Sequence, residues 1–130
     1  MAVMFTAIAY FATVFAFAFA MGVARTLVIE PLIGATAAVL LEVPILLAAS
    51  WVIARRLLRD RDLALPQRIA VGTIAFVLTM ASEVVLSALM RGQSAREWAA
   101  AIATPIGLVG LAGQLGFAAI PALIGKSSRS

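Results

Sequence analysis

The chain has 130 residues and a net charge of +4, and 64% of its residues are hydrophobic while 12% are charged. Soluble domains are about half apolar and about one quarter charged, and a soluble domain this small could not bury so much apolar surface. The chain has no Cys and no His, which excludes disulfides, thiolate nucleophiles, Cys/His zinc sites, His-dependent catalytic triads and His-ligated haem. We therefore expect a membrane protein without a cofactor and without enzymatic activity, whose positive charge reflects topology rather than nucleic-acid binding.

Four apolar stretches follow one another along the chain, over 3–24, 31–54, 69–90 and 105–124. Each is close to the ~20 residues that an α-helix needs to cross the hydrocarbon core of a bilayer. The sequence predicts an all-α fold, a single-domain membrane four-helix bundle with short loops, surrounded by the lipid bilayer.

The first two stretches carry different boundary signals. The first alternates Phe and Ala over 15–20, but its charge-free length favours a helix over a membrane strand. The second begins at Pro31, which suits the first turn of a helix. It ends at Trp51 and Arg55, a pair typical of a membrane interface.

Helix-capping residues surround the last two stretches. The third follows Pro66 and ends before Gly92, which is suited to a helix C-terminus. Ser94 and Glu97 have the spacing of a capping box, which predicts a short interfacial helix over 95–104. Pro105 should then kink the chain as it enters the membrane.

The basic residues are distributed unequally between the two sides of the predicted bundle. One side would hold Arg55, Arg56, Arg59, Arg61, Arg68, Lys126 and Arg129, and the other Arg25, Arg91 and Arg96. Cytoplasmic loops carry the excess of Lys and Arg, so we predict that both termini are cytoplasmic and that the protein is a multi-pass protein of the inner membrane.

Glu42 is the most informative residue of the second stretch. It lies eleven positions after Pro31, about 16 Å along a helix and therefore near the bilayer centre. Pro44 follows and removes the helical partner of the Leu40 carbonyl, which predicts a kink beside the carboxyl. Ionisable groups at this depth are costly and usually face a bundle interior, where they take part in function.

Glu83 forms a polar stripe with Thr79 and Ser87, four residues away on either side. Its estimated depth differs from that of Glu42 by only about 6 Å. The sequence therefore allows the two carboxyls to approach each other and to share a proton.

The fourth stretch combines Gln114 with four glycines, Gly107, Gly110, Gly113 and Gly116. Small residues let helices approach closely and Gln can bond across the contact, so helix packing is the favoured interpretation. Arg25, at the end of the first stretch, is the cation expected nearest to this polar group.

Two functional hypotheses remain open at this point. One is an oligomeric proton-coupled carrier or channel that uses Glu42 and Glu83. The other is a non-catalytic accessory or assembly subunit of a larger membrane complex, in which the glutamates only tie helices together. In length and helix number the chain resembles the small multidrug resistance transporters, but their essential glutamate lies in the first helix, which here has no ionisable residue.

Overall fold

The computed structural model describes residues 2–59 and 62–128, and it is built from α-helices. The helices are α1 (Ala2–Ala24), α2 (Glu30–Ile33), α3 (Ala35–Arg59), α4 (Leu65–Arg91), α5 (Ala95–Ile102) and α6 (Pro105–Ser128), with a π-helical turn (Arg25–Ile29) joining α1 to α2. Four segments are long and apolar enough to cross a membrane: Ala2–Ile33, Ala35–Arg59, Leu65–Arg91 and Pro105–Ile124. The prediction of an all-α fold with four such helices is confirmed.

The boundary between the first two spans differs from the prediction. Pro31 lies near the end of the first span, and the second begins at Ala35. Because Pro31 has no N–H, the Leu27 carbonyl lacks its α-helical donor. The preceding turn is π-helical instead, with the Glu30 N–H bonded to the Arg25 carbonyl.

Gly34 is the single residue that separates the first two spans. Its φ of 89° and ψ of 160° lie in a backbone region that is essentially restricted to glycine. A Cβ at this position would meet nothing within 4 Å, so backbone conformation rather than space requires the glycine. The signal that ends the first helix is therefore Gly34 and not the proline before it.

The helices are arranged around the bundle in the order α1, α3, α6, α4, with α4 returning to α1. Within the described residues, α3 lies diagonally across from α4, and α1 lies diagonally across from α6. α3 and α4 are therefore not neighbours in the bundle, although they follow each other in the chain.

Side-chain contacts fix the directions of the helices. Thr6, near the start of α1, packs beside Ala54, near the end of α3. Arg25, just after α1, bonds to Glu42 in the first half of α3. The two helices are therefore antiparallel. We call the end that contains Gly34 and α5 the Gly34 end. The opposite end, which contains the start of α1 and the α3–α4 connection, is the terminal end.

Tyr10 fills the centre of the bundle between the diagonal helices α1 and α6. Its ring stacks on Phe117 with centroids 4.5 Å apart. Its hydroxyl donates a hydrogen bond of 2.6 Å to the Phe117 carbonyl. That carbonyl lacks its usual helical donor because the residue four positions later is Pro121. The phenol thus replaces a backbone hydrogen bond that the proline removes.

Gly72 allows α4 to approach α6 closely. A Cβ on Gly72 would stand 1.8 Å from the Ala118 carbonyl oxygen, which is closer than any real contact. Small residues serve this purpose in membrane helix pairs because they let the backbones touch. The α4–α6 contact therefore depends on a glycine outside the four that the sequence predicts for helix packing.

The predicted caps of α4 and α5 are confirmed. Gly92 adopts a left-handed conformation with φ of 67° at the end of α4. The Glu97 N–H donates to the Ser94 hydroxyl at 3.1 Å, and the Ser94 N–H donates to the Glu97 carboxylate at 2.8 Å. α4 begins about one turn earlier than predicted, at Leu65.

Pro105 starts a helix rather than kinking one. α5 ends at Ile102, two residues before the predicted end. The Thr104 hydroxyl accepts a 3.2 Å hydrogen bond from the Gly107 N–H and so caps α6. With a capping residue before it, Pro105 occupies the first helical position, where its missing N–H costs nothing.

Candidate functional site

Two polar side-chain links lie in the half of the bundle nearest Gly34. The first joins Arg25 to Glu30 and Glu42, and we call it the Arg25 link. The second joins Gln114 to Glu83, and we call it the Glu83 link. Together they contain at least one polar residue from each of the four spans.

The Arg25 link ties α1 to α3. The Arg25 Nε donates to the Glu42 Oε1 at 2.5 Å, and the Nη1 donates to the Glu30 Oε2. A π-helical turn stacks residues five positions apart, which places Glu30 on the same side as Arg25. The side chains are shielded, with Glu42 16% and Arg25 23% exposed.

The Glu83 link ties α4 to α6. The Gln114 Nε2 donates a hydrogen bond to the Glu83 Oε2, and both residues are half-buried. Thr79 and Ser87, the predicted neighbours of Glu83 on α4, are not part of this link. Thr79 is buried and its hydroxyl donates to the Ala75 carbonyl of its own helix at 2.9 Å, while Ser87 is half-buried.

The two links flank one contact between α3 and α6. A Cβ on Gly113 would lie 3.0 Å from the Val43 Cγ1. Glu42 precedes Val43, and Gln114 follows Gly113. The links therefore sit side by side, but each glutamate is bonded to its own partner. The structure thus has two separate links in place of the carboxyl pair that the sequence allowed.

Carboxyls outnumber guanidinium groups in these two links. They contain three carboxyls, those of Glu30, Glu42 and Glu83, and the described residues supply them with one guanidinium, that of Arg25. Ionised carboxylates are costly in a low-dielectric environment unless they are compensated. The arrangement is chemically suited to taking up a proton. No group of three or more potential metal ligands occurs within residues 2–59 and 62–128.

The predicted prolines and glycines have distinct surroundings. Pro44 is exposed within α3, which continues on both sides of it. Gly116 lies against the Leu47 side chain, in the same contact as Gly113. Gly107 packs beneath the α5–α6 turn, and around Gly110 there is open space. The four glycines therefore do not form one packing face.

Arg68 has a role that its sequence position does not indicate. It was counted among the loop charges, yet it is only 5% exposed. Its Nε donates to the Leu63 carbonyl at 3.2 Å and its Nη1 donates to the Ala122 carbonyl at 2.7 Å. It thus fastens the α3–α4 connection to α6 at the terminal end. Of the seven basic residues assigned to that side, Arg61 and Arg129 lie outside the described residues.

Glu30 was also missed by the sequence analysis. Its spacing from Arg25 brings the two together only because the intervening turn is π-helical, and Pro31 was the available signal for that turn.

Comparison with known proteins finds no matching family model, no similar characterised protein and no similar solved structure.

Proposed function

We propose that this protein takes up and releases protons inside the membrane at Glu42 and Glu83, as an oligomeric proton-coupled carrier or channel. The observation that carries the proposal is the excess of carboxyls over guanidinium in the two links. Ionisable residues within membrane spans are functional-site candidates by default, and many of them mark ion pathways or proton relays.

The Arg25 link couples the protonation of Glu30 to that of Glu42. Glu30 has the more exposed side chain of the two partners, at 28% against 16% for Glu42. Arg25 lies between them and can pair strongly with either carboxylate. Protonation of Glu30 releases the guanidinium to Glu42, and protonation of Glu42 releases it to Glu30. Proton uptake thereby changes the contact between α1 and α3.

An oligomer is part of the proposal because a single bundle is closed near its terminal end. Residues from all four spans meet there, including Tyr10, Ala54, Val71 and Pro121, and the gap between these described side chains has no room for water. A pathway past this point would run between subunits. We place both termini in the cytoplasm and the protein in the inner membrane, from the excess of basic residues at the terminal end.

Proton flux into proteoliposomes tests the proposal. Purified protein is reconstituted with a trapped pH-sensitive dye, and a potassium diffusion potential drives the flux. Glu42→Gln and Glu83→Gln should each reduce protein-dependent flux at least about tenfold, as expected for loss of a proton-transferring group. Glu97→Gln is the matched control, because Gln preserves the capping box and the residue is exposed. Wild-type flux equal to that of empty vesicles would refute the proposal.

An accessory or assembly subunit is the second candidate, and two observations favour it. Each link joins neighbouring helices, as a structural tie would. In addition, only 17–22% of the most apolar window of each span is buried inside the bundle, which leaves wide faces for partners or lipid. Extraction from the native membrane in mild detergent, with mass spectrometry of every co-purifying chain, separates the candidates. A homo-oligomer supports the carrier, and a stable complex with unrelated chains supports the subunit.

A further inference from the structure

The two ends of the bundle differ strongly in charge. Among the described residues, the terminal end has five basic residues and one acidic residue, a net +4, whereas the Gly34 end and the links have three basic and four acidic residues, a net −1. Within the described residues, the arginines of the terminal end take part in no salt bridge, whereas Arg25 is paired twice. Uncompensated positive charge is thus concentrated at one end.

The last two turns of α3 present this charge together with an aromatic side chain. Trp51, Arg55 and Arg59 follow one another at four-residue intervals and are all exposed, and Arg56 adds a fourth exposed side chain. We call these four residues the α3 basic face. From Trp51 to Arg59 the helix rises about 12 Å, which covers the depth from the outer hydrocarbon to the headgroup region.

We infer that the α3 basic face is a binding site for anionic phospholipid headgroups in the leaflet at the terminal end. Charge complementarity selects this occupant, because guanidinium groups pair bidentately with phosphate oxygens. Trp51 lies about two helical turns before Arg59, at the end of its span, and tryptophan is enriched at membrane–water interfaces. This inference does not depend on proton transfer and can hold whether or not the protein is a carrier.

Arg68 belongs to the same end but is not part of the site. Its guanidinium is buried and bonds to two backbone carbonyls, so it serves the fold rather than a lipid. The test variants therefore change Arg55 and Arg59, whose side chains are exposed and outside both polar links.

The two tryptophans of the chain allow a test with an internal control. Trp51 reports on the α3 basic face, and Trp98, in α5, reports on the Gly34 end. Each is isolated by replacing the other with Phe, and the protein is reconstituted in phosphatidylcholine containing increasing brominated phosphatidylglycerol or brominated phosphatidylcholine. Quenching by each brominated lipid gives the relative affinity of the lipids beside that tryptophan.

The lipid preference beside Trp51 should depend on salt and on the arginines of the α3 basic face. Near Trp51 phosphatidylglycerol should be preferred, by up to about fivefold for each arginine at low salt, and the preference should fall as salt rises. Arg55→Gln with Arg59→Gln should lower the preference to about what Arg56 alone provides, and Arg55→Lys with Arg59→Lys should retain most of it. Arg91→Gln with Arg96→Gln is the matched control, since it removes the same charge from the opposite end and should leave quenching at Trp51 unchanged.

Several results would overturn the inference. They are equal quenching of Trp51 by the two lipids, a preference that is unchanged by the loss of Arg55 and Arg59, or the same preference beside Trp98. If this face binds an acidic protein instead of anionic lipid, the two brominated lipids should quench Trp51 equally. Circular dichroism of each variant confirms that helix content is retained before quenching is compared.

Discussion

Replacing Tyr10 with Phe tests the hydrogen bond that compensates for Pro121. The change removes one hydroxyl and leaves the stacked ring on Phe117 in place. The Phe117 carbonyl then has neither a helical N–H nor a phenol as its partner. A buried carbonyl left unsatisfied costs about 1–3 kcal/mol. Interhelical hydrogen bonds in membranes are worth about 0.6–1.7 kcal/mol. We therefore expect Tyr10→Phe to lower the free energy of unfolding by about 1–2 kcal/mol.

A double-mutant cycle with Pro121→Ala isolates the cause of that loss. Alanine restores an N–H that can donate to the Phe117 carbonyl, so the carbonyl no longer needs the phenol. Pro121→Ala also removes packing volume, but this loss occurs in both arms of the cycle and cancels. Tyr10→Phe should therefore cost at least about 1 kcal/mol less in the Pro121→Ala background than in the wild type.

Reversible unfolding in mixed micelles, followed by far-ultraviolet circular dichroism, provides the four free energies of the cycle. The proline and the phenol are coupled if the two single costs do not add. If Tyr10→Phe costs the same in both backgrounds, the hydroxyl does not replace the missing backbone donor, and the reasoning is refuted.

Three further substitutions, with Gly110→Ala as a control, test other parts of the fold by the same unfolding measurement. Gly34→Ala should cost about 1–3 kcal/mol through backbone strain alone, and an unchanged stability would show that the junction adopts another conformation. Gly72→Ala should cost at least about 1–3 kcal/mol because the added methyl group forces α4 away from α6. Gly110→Ala, in open space, should be neutral or stabilising by up to about 1 kcal/mol. Equal effects of the two substitutions would contradict the close approach of α4 to α6. Arg68→Gln should cost about 2 kcal/mol because two carbonyls lose a charged donor, and a loss within the ~0.5 kcal/mol typical of surface changes would contradict its buried position.

The helix content and the number of spans could be predicted from the sequence because they depend on local quantities. Apolar length alone identifies a membrane-crossing helix. The capping box at Ser94 and Glu97 and the C-cap at Gly92 are also local, and both were predicted correctly. The junction at Gly34 was misplaced because Pro31 is compatible with a helix start and also with the last turn of a longer helix.

The partners of the polar residues depended on tertiary information that the sequence does not carry. Depth estimates placed Glu42 and Glu83 within reach of each other, but they contain no information on the order of helices around the bundle. Because α3 and α4 are diagonal, each glutamate meets a residue from a neighbouring helix instead. Likewise, Arg68 in a charged segment resembles a solvated loop residue, and only the position of the Ala122 carbonyl gives it a buried partner.

Infrared difference spectroscopy of the protein in lipid bilayers tests the central claim most directly, because it detects protonated carboxyl groups. On transfer from alkaline buffer to buffer near pH 6, where exposed carboxyls with the ordinary pKa of about 4.3 stay ionised, we expect a carboxylic acid band in the wild type that is reduced in Glu83→Gln and in Glu42→Gln and unchanged in Glu97→Gln. A wild-type spectrum in which no such band changes, or a band that persists unaltered in both intramembrane variants, would contradict proton uptake at the two links.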